Sequence, residues 1–392
     1  MRVFVASSRY WLDSVEQINV RFKALEQSCE INVGAGILRD LGAGARRILD
    51  HSTRKMVIIS NQKVFDLYGD MVSRSLRDGD FGVSHWLMSD GERYKSVRTL
   101  ERALAFLSSA NIERSDAVLA LGGGVVSDLA GLAAALHLRG IALLQVPTTL
   151  LAQIDASIGG KTGVNTAGGK NQIGAFHQPR AIWIDTMTLK TLPRRELTSG
   201  WCEAVKQGAA GSRALFRATY QFLQSCSSEI HQGEPPEKLI AAQCAFKASI
   251  VVRDQREDVN RSDRHSRRIL NFGHTTAHAL ETITSYRRFR HGEAVGYGMI
   301  IAGEISQRLG LLPTSELKLL RDAVRLCGRL PRADNLDSAS IIRAIVHDKK
   351  QVGGELQWVL LNRIGQARIV QGKEVTRQLL RESLHAGLRQ IH

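Results

Sequence analysis

Arg267, Asn271, His274, His278 and His291 fall within 25 residues of one another. Imidazoles, a guanidinium and an amide at this density suit two chemistries: metal ligation, and proton transfer beside an anionic substrate. With 271–281 read as a helix, His274 and His278 are four apart and share one face, as a metal site or a base next to one requires. An isolated H-x-x-x-H is short, however, and reads equally as a polar pair on a solvated helix. Glu203 and Lys206 pose a second choice. Three apart on an amphipathic segment, they are either a surface ion pair or a metal ligand beside a substrate-binding lysine.

Two glycine-rich stretches add anion chemistry. Gly122-Gly123-Gly124 follows the buried run Ala117–Leu121 and opens onto a helix, where backbone N–H groups and the helix dipole favour a pyrophosphate. The turn does not match G-x-G-x-x-G, and a plain tight turn is the other reading. Lys161 and Lys170 then lie among five glycines between Gly159 and Gly169. Lysines on such backbone suit phosphate or carboxylate oxygens. The apolar Ile158, Val164, Ile173 and Phe176 make this an ordered loop rather than a linker.

The elements that must position these groups are legible from periodicity. Ile18–Phe22 and Cys29–Val33 alternate and read as a strand pair. Leu38–Leu49 reads as a helix, and Met56–Ser60 as a strand buried on both faces. A strand at Val83–Met88, a helix at Ser96–Ala110, the Ala117–Leu121 strand and a last strand at Ala181–Asp185 complete a parallel sheet covered on both sides. From about Pro193 long amphipathic segments take over: 196–208, 214–225, 236–253, 274–284 and 292–310. The expected architecture is an α/β domain over 1–192 followed by a mostly α-helical domain over 193–392.

Composition narrows the function. A formal net charge of +15 admits nucleic acid, an acidic membrane surface or anionic small substrates. Basic residues form no long block, the nearest being the short Arg261–Arg268 segment, so nucleic acid is not expected. No apolar run reaches the ~20 residues of a membrane span, so no membrane partner is expected either. Met1–Trp11 reads as a tail and not as a targeting peptide. The five cysteines are scattered without a C-x-x-C, which fits a reducing, cytoplasmic setting and no thiolate metal site.

Taken in order, the motifs resemble the 3-dehydroquinate synthase family. They are the Gly-rich turn, the run 145–165 (QVPTTLLAQIDASIGGKTGVN), 169–179 (GKNQIGAFHQP), 189–193 (LKTLP), 203–206 (EAVK), 247–252 (KASIVV), 268–279 (RILNFGHTTAHA), 291–295 (HGEAV) and 347–350 (HDKK). The resemblance spans about residues 18 to 365. It implies an NAD-binding α/β domain, a helical metal- and substrate-binding domain, and an active site between them. The implied substrate is 3-deoxy-D-arabino-heptulosonate 7-phosphate, a sugar acid carrying both phosphate and carboxylate. The implied reaction is oxidation by bound NAD, loss of phosphate, re-reduction, ring opening and internal aldol closure, with NAD regenerated.

Residue by residue, the resemblance implies Glu203, His274 and His291 as ligands of zinc or cobalt, with His278 facing the substrate and taking part in proton transfer. Lys161, Asn171, Lys206, Lys247, Arg267 and Asn271 match residues that hold phosphate and carboxylate. Lys349 or Lys350 matches a lysine near the substrate, and Arg139 one that reaches a neighbouring subunit's site, which implies a homodimer. Gly123, Gly124, Val125, Asp128, Thr148, Thr149 and Thr191 match NAD contacts, with Asn61, Glu92 and Lys95 at the adenosine end. Asp155 and Lys170 lie in the same loops and, with Lys161, are also expected on the cofactor side, Asp155 resembling a nucleotide or substrate contact. The spacing between Lys247 and Arg267 is longer than the family's and reads as a surface insertion at Asp258–Ser266. Sister cyclases acting on sedoheptulose 7-phosphate, which has no carboxylate, would replace Arg267, Asn271 and His278; all three are present. An aminodehydroquinate synthase would keep them, and an iron-type polyol dehydrogenase of related architecture would form NADH.

Overall fold

In the computed structural model, residues 3–5, 18–20, 28–225, 237–351 and 356–389 are described, with backbone alone at 3–5, 18–20 and 348–351. The expected pairing of 18–22 with 29–33 is not what forms. β1 (Val3–Val5) pairs antiparallel with β2 (Ile18–Val20), while β3 (Glu30–Gly34) runs parallel to a strand 150 residues later. Alternation identified the strands; it carries no information about the partner.

The main sheet has six parallel strands: β3, β4 (Lys55–Asn61), β5 (Gly82–Met88), β6 (Ala117–Gly122), β7 (Ala142–Pro147) and β10 (Ala181–Asp185), in the spatial order β3-β10-β7-β6-β4-β5. Side chains of β6 alternate between two cores. Val118 and Ala120 pack with α3 (Val97–Ser109) and α4 (Gly124–Leu136), while Ala117, Leu119 and Leu121 pack with α1 (Leu41–Ile48) and α2 (Gln62–Asp78). Helices on both faces explain why these strands are apolar throughout. The chain leaves β4 outward to β5 and returns on the other side as β6, so the direction of winding switches between β4 and β6. Asn61 and Gly122 end the strands on either side of that switch. Ligands of open parallel sheets bind there.

The stretch expected to be an ordered loop is an antiparallel hairpin, β8 (Lys161–Thr166) and β9 (Gly169–Phe176). Its glycines masked the alternation, because Gly163 and Gly174 face each other where a Cβ would strike the opposite backbone.

The rest is mostly helical: α5 (Arg194–Gly211), α6 (Arg213–Ser225), α7 (Glu237–Arg253), α8 (His274–Ile283), α9 (His291–Arg308), α10 (Thr314–Leu326), α11 (Ser338–Gln351) and α12 (Arg377–Arg389). An unforeseen hairpin, β11 (Gln357–Arg363) with β12 (Gln366–Gln371), packs among them. α9 is the central element, buried from Gly292 to Ser306. Two glycines let its neighbours come close. Gly273, at φ 81, caps α8, and a Cβ there would lie 2.7 Å from Met299 N. A Cβ on Gly292 would strike the Ser199 carbonyl of α5. The first contact brings His274 against α9, the second brings His291 against α5.

Candidate active site

The helix expected over 271–281 divides. Arg267–Asn271 is a single 3-10 turn capped by the Ser266 hydroxyl, and the α-helix starts only at His274. Gly273 in the left-handed region turns the chain between them, so Arg267 and Asn271 do not continue the face that carries His274.

Glu203, His274 and His291 each offer a ligand atom, and the three atoms lie within 4.8 Å of one another. They come from α5 and the first residues of α8 and α9. His291 Nδ1 is 3.4 Å from Glu281 Oε1 and its Nε2 is 3.6 Å from Glu203 Oε1. His274 Nδ1 lies 3.3 Å from the Phe272 carbonyl. Each ring thus has an acceptor at Nδ1, leaving Nε2 for the centre of the trio. Neither oxygen of the buried Glu203 carboxylate has a hydrogen-bond partner of good geometry among the described residues, although Lys206 Nζ stands 2.6 Å from Oε2. One carboxylate, two imidazoles and a buried, under-coordinated anion fit a divalent cation with open positions. Burial, with Lys206 and the neighbouring rings, holds His274 well below the usual imidazole range, hence neutral as a ligand must be. Burial acts the same way on His291, but Glu281 outweighs it and raises that ring.

His278 projects from the next turn of α8 and is exposed, its ring 5.6 Å from that of His274 and 6.2 Å from that of His291. It borders the trio without belonging to it.

A group of cations adjoins the trio. Asp155 lies between two lysines: Lys206 Nζ is 3.2 Å from Oδ2, and Lys247 Nζ donates to Oδ1. Burial opposes the Asp155 charge, yet the two ammonium groups hold its carboxyl well below the usual range. The lysines respond differently. Burial disfavours both, but Lys206 also has Glu203 and is raised. Lys247 has Asp155 alone, with Lys206 and Arg267 nearby, and is pushed down to about 8. The buried Arg267 guanidinium donates to the carbonyls of Gly159 and Gln255 at 3.1 and 3.0 Å. Lys161 pairs with Glu257, which also accepts from Asn271 Nδ2 at 3.0 Å.

Along the C-terminal edge of the sheet lie the groups matched to NAD. Gly123 caps α4 with no side-chain bond, leaving the first N–H groups of the helix open. A Cβ on Gly123 would come 2.9 Å from Thr149 Cγ2, so the turn is close-packed against the Thr148-Thr149 loop. An uncapped helix start behind a parallel strand at the switch point fits a pyrophosphate. Lys95 joins this loop to the hairpin by pairing with Asp128 and donating to Asn171 Oδ1 at 2.5 Å. Glu92 accepts from Asn165 at 2.8 Å. Asn61 caps α2 and donates to Asp90 at 3.3 Å. Thr191 bonds the Tyr68 hydroxyl, and Val125 lies in the first turn of α4.

The remaining candidates are Arg139, Lys170 and the pair Lys349 and Lys350. Arg139 is exposed at the turn after α4, at φ 68. Lys170 reaches across to Glu281 at 3.1 Å rather than to the glycine turn. The side chains of Lys349 and Lys350 lie outside the described residues. Two acids in the cluster escaped the sequence reading. Glu281 was findable: it is seven residues from His274 and three from His278, on the same helical face. Glu257 gave no local signal. It is held by the segment preceding Arg267, where Asp254 accepts from Arg267 N at 2.8 Å.

A dinucleotide fold whose helical half carries a Glu-His-His centre ringed by lysines defines a cofactor- and metal-dependent enzyme for anionic substrates. Residues 85–199 and 200–351 match the N-terminal and C-terminal models of 3-dehydroquinate synthase. The 3-dehydroquinate synthase of Pelotomaculum thermopropionicum is 40% identical over 379 residues, 95% of this chain and 97% of that protein. The chain belongs to the 3-dehydroquinate synthase family. Among solved structures, a 2-epi-5-epi-valiolone synthase from Streptomyces hygroscopicus subsp. jinggangensis with NAD+ and Zn2+ bound superposes with a TM-score of 0.82 at 27% identity, over 94% of this chain and 99% of that one. A 2-deoxy-scyllo-inosose synthase complexed with carbaglucose-6-phosphate, NAD+ and Co2+ gives 0.78 at 26%, over 93% and 99%.

Proposed function

We propose that this chain is a 3-dehydroquinate synthase, converting 3-deoxy-D-arabino-heptulosonate 7-phosphate to 3-dehydroquinate and phosphate. The observation that carries the reading is the junction at Lys206, whose ammonium touches both Glu203 of the metal-type trio and Asp155 of the cation group. It supports one substrate held at both places at once.

In this reading Glu203, His274 and His291 hold zinc or cobalt, and Gly123, Gly124, Thr148 and Thr149 hold NAD. Once bound, the dication supplies a Lewis acid and NAD+ a hydride acceptor regenerated within each turnover. The chain's own residues bind and orient. Lys161, Lys206, Lys247, Arg267, Asn171 and Asn271 take the phosphate and carboxylate oxygens, exchanging present partners such as Glu257 and Asp155 for substrate. His278, exposed beside the trio, exchanges a proton with the substrate. The division at 192/193 belongs to this reading, since the last sheet strand ends at Asp185 and α5 begins at Arg194. So does a cytoplasmic homodimer: Arg139 lies between the exposed Leu138 and Gly140, with Leu136 also exposed, a face suited to self-association. No helix among the described residues is long and apolar enough to cross a membrane.

The test is phosphate release from the heptulosonate phosphate, with sedoheptulose 7-phosphate as the alternative substrate. Release from the first only, abolished by chelator and restored by Zn2+ or Co2+, is expected. Turnover of the second alone contradicts the reading.

A further inference from the structure

We propose that Glu281 is a positioning residue for His291, fixing its ring for the metal, and that Lys170 of the β8–β9 hairpin locks Glu281 in place. The inference rests on the reading of Glu203, His274 and His291 as metal ligands.

Glu281 is buried on α8, at 3% exposure. A buried carboxylate is costly unless paired. Its Oε1 faces two groups, His291 Nδ1 at 3.4 Å and Lys170 Nζ at 3.1 Å, while Oε2 has no hydrogen-bond partner among the described residues. An acceptor at Nδ1 keeps the proton there and presents Nε2, unprotonated, toward Glu203 Oε1 at 3.6 Å. His274 receives the same service from the backbone carbonyl of Phe272, at the close of the 3-10 turn that precedes α8. His291 opens α9, where no backbone carbonyl among the described residues bonds its ring, and the acid on the neighbouring helix takes that place.

Lys170 is itself fixed, with Nζ 4.3 Å above the Tyr286 ring. Its hairpin is tied to the nucleotide edge at the next residue, since Asn171 accepts from Lys95, which pairs with Asp128 of α4. A continuous line of contacts therefore runs from the helix behind the glycine turn, through Lys95, the hairpin, Lys170 and Glu281, to a metal ligand. A carboxylate serving only to seal the core would not need to stand 3.4 Å from the ring nitrogen.

The experiment loads the full chain with Co2+ and records its d–d absorption and its affinity by chelator competition. The variants are Glu281→Gln, Glu281→Asp and, as control, His291→Ala. Thermal unfolding of each apo form confirms folding. The expected result is that Glu281→Gln still binds one Co2+, with shifted bands and affinity lower by about 10–100-fold, while kcat falls more than KM rises. Glu281→Asp, which retracts the carboxylate by one methylene, shifts the same bands and keeps the readout if the amide variant does not fold. Wild-type spectrum and affinity in either folded Glu281 variant overturns the inference. Wild-type Co2+ binding in His291→Ala would instead overturn the assignment of the trio.

Discussion

Glu203 and Lys206 form an ion pair at 2.6 Å within α5, with side chains 1% and 2% exposed. The pair is therefore no surface bridge of the kind worth a few tenths of a kcal/mol. Lys206 lies between the buried Glu203 carboxylate and the half-buried Asp155, and Glu203 keeps lone pairs turned to the two imidazoles. Removing Glu203 as Gln should abolish stoichiometric Zn2+ binding, measured by elemental analysis after dialysis. The loss in kcat/KM should exceed the roughly 10–100-fold typical of disturbing a second-layer partner.

Lys206→Met strips the cation from Glu203 and Asp155 together. Breaking a buried pair from one side costs about 3–5 kcal/mol. Urea unfolding of the apo variant should show that loss, and added Zn2+ should recover part of it by neutralising Glu203.

The contrast between the two lysines sets a pH dependence. Lys247 is pushed down to about 8, chiefly by burial. It carries its charge below that pH and sheds it above, so affinity for an anionic substrate is full on the acid side and declines on the alkaline side. The profile of kcat/KM, which reports the free enzyme, should bend downward near pH 8. In kcat the bend should move to higher pH, because bound phosphate stabilises the ammonium. Lys247→Arg should remove the alkaline bend from both profiles.

Glu257 binds Lys161 and Asn271 from the start of the long segment. Substrate must displace Glu257 from both groups, so Glu257→Ala should lower KM and leave metal content unchanged. Val259, two residues on and 76% exposed, should accept Ser within about 0.5 kcal/mol and without kinetic effect. The pair of variants separates the part of the segment that serves the site from the part that does not.

Gly292→Ala drives a methyl group into the Ser199 carbonyl and separates α9 from α5. A loss of about 1–3 kcal/mol is expected from overpacking. Because the displaced residue neighbours His291, Co2+ affinity should fall as well, measured by chelator competition.

How far the sequence reveals this arrangement depends on the kind of residue. Buried parallel strands such as Ala117–Gly122 announce themselves by continuous apolar runs, and the helices after Pro193 by their period. The pairing of β3 with β10 and the β8–β9 hairpin do not, because register and partner are decided by contacts distant in sequence. Within the site, groups on a regular element could be read by spacing: Glu203 with Lys206, and His274 with His278. That spacing alone points to His274 with His278, whereas the ligand atoms that gather are those of Glu203, His274 and His291. Only tertiary packing of Gly292 on Ser199 brings His291 to Glu203, while His278 stays one turn away. Glu257 lies at the far end of this scale, delivered by a residue at φ 55 in an irregular segment with no periodic signature.

The central claim is that oxidation and phosphate loss occur on one substrate with the hydride returned before release. It is tested most directly by counting phosphate released per NAD+ when the Zn2+-loaded enzyme turns over 3-deoxy-D-arabino-heptulosonate 7-phosphate with NAD+ limiting. The account predicts many phosphates per NAD+ and no accumulated NADH. One NADH for each substrate consumed, with phosphate retained on the product, would contradict it.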